Sequence, residues 1–145
     1  MGLECHCGVK ADAESFARHA KFHGQHYTVK GCLTYHANVC VSALDNALLV
    51  VDFEDEQTEG AKYSFIFTAT KVSCVECCNN SHACEVTVSG MGTVNGKEYP
   101  FVAVFYDTDE RTKVDFVKRF TISGFFDQNG LLAVKKGSIR ALGCE

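Results

Sequence analysis

Residues 84–106, "CEVTVSGMGTVNGKEYPFVAVFY", contain the pattern that decides the fold. On both sides of the central "NGKE", β-branched and aromatic residues recur with the alternation of a strand whose two faces meet different environments. Asn95-Gly96 readily supplies the positive φ angles of a type I′ turn, which joins two antiparallel strands tightly. The stretch therefore predicts a β-hairpin.

Most of the remaining chain shows the same strand pattern of β-branched and aromatic residues. The further strand candidates are 27–36, 47–53, 62–72, 116–123 and 131–141. Seven or eight short strands separated by turn signals are typical of an antiparallel sandwich or barrel. The apolar residues on the predicted inner faces are Leu33, Tyr35, Leu49, Val51, Phe65, Phe67, Val86, Val88, Phe101, Ala103 and Phe120.

The segment 12–23, "DAESFARHAKFH", fits two structures. Asp12 is a suitable N-cap for a short helix that buries Ala13, Phe16, Ala17 and Ala20. The same residues also fit the alternation of a strand, so periodicity alone leaves both alternatives open.

Length, charge and hydropathy exclude several classes of protein. The 145 residues suit one domain, and a net charge of −4 gives no general attraction for nucleic acid. No apolar stretch is long enough to span a membrane as a helix, and "MGLECHCG" has no features of a secretory signal. We therefore expect a chain without a membrane span or a nucleic-acid partner.

The order of several motifs resembles a known family. "SFARHAKFHGQ", "KGCLTYH", "TATKVSC", "VSGMGTVNGKEYPFVAVFYD", "RFTISGF" and "KKGSIRA" follow one another between residues 15 and 141. This order resembles the Ig-like domains of bacterial secreted and surface proteins that are called post-COAP-type domains, and "GTVNGKEYPF" is its most specific part.

This resemblance implies an all-β fold, an antiparallel Ig-like β-sandwich of about seven to nine strands. The sandwich domain would cover residues 15–145, after an N-terminal arm formed by residues 1–14. It favours a strand for 15–23 and implies a non-catalytic module. The Cys-rich stretch 74–84 departs from the family pattern and is interpreted as a loop inserted between two strands.

Nine cysteines, an odd and unusually high number, pose the main chemical question. Such density indicates disulfides in an oxidising place, or metal binding. Disulfide bonding is the preferred interpretation, with a bridge from Cys74 to Cys84, or from Cys77 or Cys78 to Cys84, closing the inserted loop. The other candidates for bridges are Cys5, Cys7, Cys32, Cys40 and Cys144.

Two metal sites are the alternatives to disulfides alone. Cys74, Cys77, His82 and Cys84 approach the spacing of a zinc knuckle, although Cys84 follows His82 too closely for the usual turn. On a strand, His19 and His23 would share one face and, with His36, could form the centre of a metalloenzyme. The acidic stretches 52–59 and 107–115 are interpreted as solvated turns.

The sequence contains no nucleophile elbow, phosphate loop or Ser-His-Asp pattern. We therefore expect a structural or assembly module, without enzymatic activity or cofactor, that belongs to an extracellular surface layer, a filament or a virion. Its partners would be its own copies, or a scaffold or capsid protein. Contacts would run through sheet edges and through cysteines of the two chain ends.

Overall fold

A computed structural model describes residues 5–144 as an all-β protein. Two short 3-10 segments, Val41–Asn46 and Glu59–Ala61, lie among the strands. The strands are β1 (Gly8–Phe22), β2 (Thr28–Cys40), β3 (Leu48–Asp55), β4 (Phe65–Asn79), β5 (Ala83–Val94), β6 (Lys97–Thr108), β7 (Val114–Ile122), β8 (Phe126–Asp127), β9 (Leu132–Lys135) and β10 (Ile139–Leu142).

The strands close into a barrel. Each strand from β1 to β8 pairs antiparallel with the next, and β8 pairs back to β1 through Lys21–Asp127 and Phe22–Phe126. The all-β prediction is confirmed, but the Ig-like sandwich is wrong. A sandwich and a barrel both bury one face of each strand, so alternation is the same in the two folds. The pairing of β8 with β1, two strands that are distant in the chain, closes the sheet and distinguishes the barrel from the sandwich.

The hairpin predicted around Asn95-Gly96 is confirmed. Asn95 has φ 52° and Gly96 has φ 79°, and Val94 lies opposite Lys97. The two positive φ angles match the type I′ turn that this dipeptide favours.

Residues 12–23 belong mostly to β1, so the helical alternative is wrong, and so is the N-terminal arm. Residues 8–14 are already strand and pair with β2, whereas residues 1–4 lie outside the described residues. A β-bulge between Ala17 and Ala20 leaves Arg18 and His19 both exposed. The extra residue puts Ala17 and Ala20 on the same inner face, which explains the helix-like spacing in the sequence.

Aromatic side chains fill the barrel interior. The fully buried rings are Tyr35, Phe53, Phe67, Phe101, Phe105 and Phe120. The ring centroids of Phe67 and Phe101 are 5.1 Å apart in an edge-to-face arrangement, which is favourable for aromatic pairs. All eleven core residues predicted from alternation are buried. An eight-stranded barrel is just wide enough for side chains to fill, and this interior is a packed core.

The last part of the chain closes the seam between β7 and β1 in three short pieces. β8 pairs with both strands, β9 pairs with β7, and β10 pairs with β1. Between these pieces the chain leaves the ladder, so side chains must satisfy buried backbone groups. The buried Gln128 does so between β8 and β9, since its amide donates to the carbonyls of Val117 and Gly130 and its oxygen accepts from Tyr35 Oη at 2.7 Å.

Asp115 performs the same task between β9 and β10. Its carboxylate is fully buried and accepts hydrogen bonds from the backbone N–H groups of Thr108 (3.0 Å) and Gly137 (2.8 Å). The Lys136 ammonium lies 3.4 Å from it and supplies the opposite charge. The prediction that the stretch 107–115 is a solvated turn is wrong for Asp115, which is fully buried.

We expect Asp115→Asn to destabilise the protein. An amide offers one acceptor oxygen where the carboxylate offers two, and each buried donor left without an acceptor costs about 1–3 kcal/mol. Chemical denaturation of the oxidised protein measures the loss. Asp45→Asn, an equal charge change at an exposed position, is the matched control, and equal stability of the two variants would contradict the role of Asp115.

Candidate functional site

The Cys-rich stretch 74–84 is a continuation of two strands, so the predicted inserted loop is wrong. β4 and β5 remain paired without a break from Cys74–Ser89 to Asn79–Cys84. Only residues 80–82 turn, where Asn80 Oδ1 accepts hydrogen bonds from the backbone N–H groups of His82 (3.0 Å) and Ala83 (2.8 Å). Strand geometry therefore decides which way each cysteine points.

Three disulfides join cysteines that are distant in the chain: Cys5–Cys40, Cys7–Cys77 and Cys84–Cys144. Their Cα atoms are 5.8, 5.8 and 6.1 Å apart, within the range that a disulfide spans. Two of these bonds tie the β4–β5 hairpin to the two ends of the chain. Each native disulfide stabilises a domain by roughly 2–4 kcal/mol.

The predicted bridge from Cys74 to Cys84 is wrong, and so are the alternatives from Cys77 or Cys78 to Cys84. Cys84 lies opposite Asn79, so Cys74 is five residues further along the ladder, about 16 Å away at the rise of a strand. The prediction that cysteines of the chain ends tie neighbouring molecules together is also wrong for Cys5, Cys7 and Cys144. These three residues bond within the chain.

The two predicted metal sites are not assembled. Cys77 and Cys84 are held in disulfides to Cys7 and Cys144, so these sulfurs do not act as zinc-binding thiolates. Within residues 5–144, no three His, Cys, Asp or Glu side chains form a group that could hold a metal ion.

The three histidines of the second metal site lie apart. His36 is opposite Asp12, with 3.1 Å between His36 Nδ1 and an Asp12 carboxylate oxygen. His19 lies seven positions further along β1 than Asp12, which is about 23 Å along a strand. His23 lies beyond the end of β1. The strand therefore separates residues that the sequence pattern had grouped.

Three cysteines keep free thiols: Cys32, Cys74 and Cys78. Cys32 on β2 is half-buried, and burial raises the pKa of its thiol, with the carboxylates of Glu14, Glu54 and other neighbours acting in the same direction. Cys74 and Cys78 are both exposed. The free thiols thus fall into two kinds, one half-buried in an acidic surrounding and two open to solvent.

Cys74, Glu76 and Cys78 form a row on the outer face of β4. Val75 is buried and Cys77 half-buried, so the residues between them point outward. The Cys74 thiol donates a hydrogen bond to the Glu76 carboxylate at 3.4 Å. This bond, together with burial and the negative charge of Glu76, raises the pKa of Cys74.

Beyond Thr68 the edge of β4 beside this row has no ladder partner in the described part of the chain, although the 3-10 segment Val41–Asn46 lies alongside residues 69–73. β3 pairs with β4 only from Phe65 to Thr68. Among residues 5–144, no backbone hydrogen bond joins that edge beyond Thr68 to another segment. Because an unpaired edge presents free N–H and C=O groups, it is a template for another strand. We call this edge together with the row Cys74, Glu76 and Cys78 the thiol edge.

Comparison of the chain with protein-family models, with curated proteins and with solved structures finds no match. The resemblance to post-COAP-type domains therefore stays a prediction. No helix among the described residues has the length and apolar character needed to cross a membrane.

We expect Glu76→Gln to make Cys74 more reactive at neutral pH. Removing the carboxylate removes the negative charge and the strongest acceptor for the thiol proton, so the pKa of Cys74 falls and more thiolate is present. The measurement is the alkylation rate of Cys74 with iodoacetamide between pH 6 and pH 10, followed by peptide mass spectrometry.

Cys32 serves as the internal control, because it lies on another strand and responds to other carboxylates. An unchanged pH profile of Cys74 alkylation in the variant would show that Glu76 does not govern this thiol.

Proposed function

We propose that the protein is a non-catalytic structural module whose copies are joined covalently through the thiol edge. The observation that carries this proposal is the pair of exposed thiols, Cys74 and Cys78, on a part of β4 whose outer edge has no ladder partner among the described residues. The three internal disulfides are compatible with an oxidising, extracellular environment. In such an environment exposed thiols undergo exchange, so we place the module at an extracellular surface or on a virion.

The spacing of the two thiols suits a second copy of the chain. If two copies pair antiparallel at this edge with Glu76 opposite its counterpart, Cys74 lies opposite the partner's Cys78, and the reverse. Residues directly opposite in an antiparallel pair have Cα atoms about 4.5–5.5 Å apart, within the range for a disulfide. Two symmetric bridges would then link the copies.

The same spacing prevents a bridge inside one chain. Cys74 and Cys78 are four residues apart on an uninterrupted part of β4, about 13 Å along the strand. A disulfide requires Cα atoms within about 7 Å. A bond between Cys74 and Cys78 is therefore a bond between molecules.

Each bridge forms by two thiol–disulfide exchanges with a small-molecule disulfide such as oxidised glutathione. The thiolate of Cys78 attacks that disulfide, forms a mixed disulfide and releases one reduced thiol. The Cys74 thiolate of the other copy then attacks the Cys78 sulfur and releases the second reduced thiol. Two protein thiols are oxidised, each loses a proton, and one small disulfide is reduced.

The two opposed Glu76 carboxylates repel each other in this arrangement. This repulsion limits the dimer. Glu76→Gln removes this repulsion and therefore favours the dimer. Glu76 is also the residue whose carboxylate accepts the hydrogen bond from the Cys74 thiol.

The test is complementation between two single variants, Cys74→Ser and Cys78→Ser, in a glutathione redox buffer. The pairing of Cys74 with Cys78 predicts that neither variant alone forms the linked dimer, whereas an equal mixture of the two forms a dimer with one bridge. Non-reducing gels and light scattering report the linked species, and reductant should abolish it. Cys32→Ser is the matched control and should dimerise like the original chain.

Two results would contradict the proposal. One is a chain that stays monomeric with Cys74 and Cys78 reduced under these conditions. The other is a Cys74→Ser, Cys78→Ser double variant that is cross-linked as fully as the original chain.

A further inference from the structure

A second feature of the surface is independent of the thiol edge. An open cleft of about 600 Å³ lies between β1, β2 and the turn that joins β9 to β10. Lys10, Lys135 and Arg140 line it, together with Asp12, Asn38 and Ser138. We call it the basic cleft.

Two cations of the basic cleft lie directly opposite each other. Lys10 on β1 pairs in register with Arg140 on β10, and both are exposed. The other cross-strand neighbour of Lys10 is the neutral Asn38. Like charges in direct register destabilise a sheet, so this arrangement has a cost that nothing in the fold requires.

The three cations of the basic cleft have no carboxylate partners among the described residues. Among the described residues, Lys10, Lys135 and Arg140 have no carboxylate oxygen within 4 Å, whereas Lys118 and Arg111 elsewhere each lie 3.1 Å from one. Asp12 is the one carboxylate among the lining residues, and it is paired with His36 at 3.1 Å.

Lys136 also lines the cleft, but its ammonium group is engaged elsewhere. It donates to the carbonyl oxygen of Asp109 at 3.0 Å and to the Thr108 hydroxyl at 2.9 Å, beside Asp115. Three cations are therefore available in a chain whose net charge is −4.

We propose that the basic cleft binds a sulfate or phosphate ester carried on a saccharide. A tetrahedral oxyanion matches the fork of a guanidinium and the point charges of two lysines, and it relieves the repulsion between Lys10 and Arg140. The cleft volume falls in the range of small-molecule sites and exceeds what one oxyanion fills. Asn38, Ser138 and Asp12 supply partners for sugar hydroxyls, and the lining has no aromatic side chain on which a nucleotide base would stack.

Binding of four probes to the monomeric chain with its three internal disulfides formed tests this site: a sulfated disaccharide, a hexose phosphate, inorganic sulfate and inorganic phosphate. Calorimetry at low and moderate salt gives the affinities. We expect at least one ester to bind at least tenfold more tightly than the inorganic ions, with affinity that falls as salt rises. Which ester binds better identifies the source of the oxyanion.

The variant is the double substitution Lys10→Gln, Arg140→Gln, and the matched control is Lys62→Gln, Lys97→Gln, which removes the same charge at two exposed positions outside the cleft lining. The cleft variant should lose at least tenfold in affinity, and the control should keep most of it. Without ligand at low salt, the cleft variant should also unfold at a denaturant concentration no lower than the original chain, because a like-charge pair has been removed. The ester should raise the unfolding midpoint of the original chain and leave that of the cleft variant unchanged.

Absence of binding by both esters would overturn the proposal, and so would equal losses of affinity in the cleft variant and the control. Equal affinity for an ester and for its inorganic ion would overturn the saccharide part. Because Cys74 and Cys78 are not involved, replacing both with Ser should leave ester binding unchanged, so this site and the proposed assembly fail or succeed separately.

Discussion

The barrel depends on a buried carboxylate at its seam. The strand that closes it is broken into β8, β9 and β10, so the ladder alone cannot satisfy the backbone groups between β7 and β1. Asp115 accepts hydrogen bonds from Thr108 at the end of β6 and from Gly137 in the turn between β9 and β10, and Lys136 compensates its charge. Without such acceptors the buried N–H groups would lack partners, and closing the barrel would cost more than an open sheet.

Alternation of side chains along β4 separates the structural cysteines from the exposed ones. Cys77 lies on the inner side and bonds to Cys7 at the end of the barrel where β1 begins, whereas Cys74 and Cys78 lie on the outer side and keep free, exposed thiols. The same period of two therefore yields one bond that fastens the hairpin and two thiols that are exposed to solvent. A one-residue shift of β4 would exchange these roles.

Local features of the fold were predictable from the sequence, and distant pairings were not. Asn95-Gly96 determines its own turn, and alternation identifies inner residues such as Phe67 and Val88, because both depend on near neighbours. The closure of β8 on β1 and the bond between Cys84 and Cys144 depend on where remote segments meet. The histidines and cysteines predicted as metal ligands have suitable residue types and sequence spacing, but the fold does not bring them together around one point. Asp115 was missed because an aspartate in an acidic stretch gives no sign of burial.

A filled interior restricts where this barrel can act. Barrels of this size hold either side chains or one small ligand, and here Phe101, Phe105 and Phe120 occupy that volume together with other rings. A ligand therefore finds no space inside, whereas on the outer wall the strands present every second side chain to solvent. The thiol edge on β4 and the basic cleft beside β10 are separate places on that wall, and a rigid, disulfide-fastened barrel holds them at a fixed spacing. If copies are linked at the thiol edge as proposed, each assembly presents the basic cleft repeatedly, and multivalency would strengthen weak binding to a repeating anionic ligand.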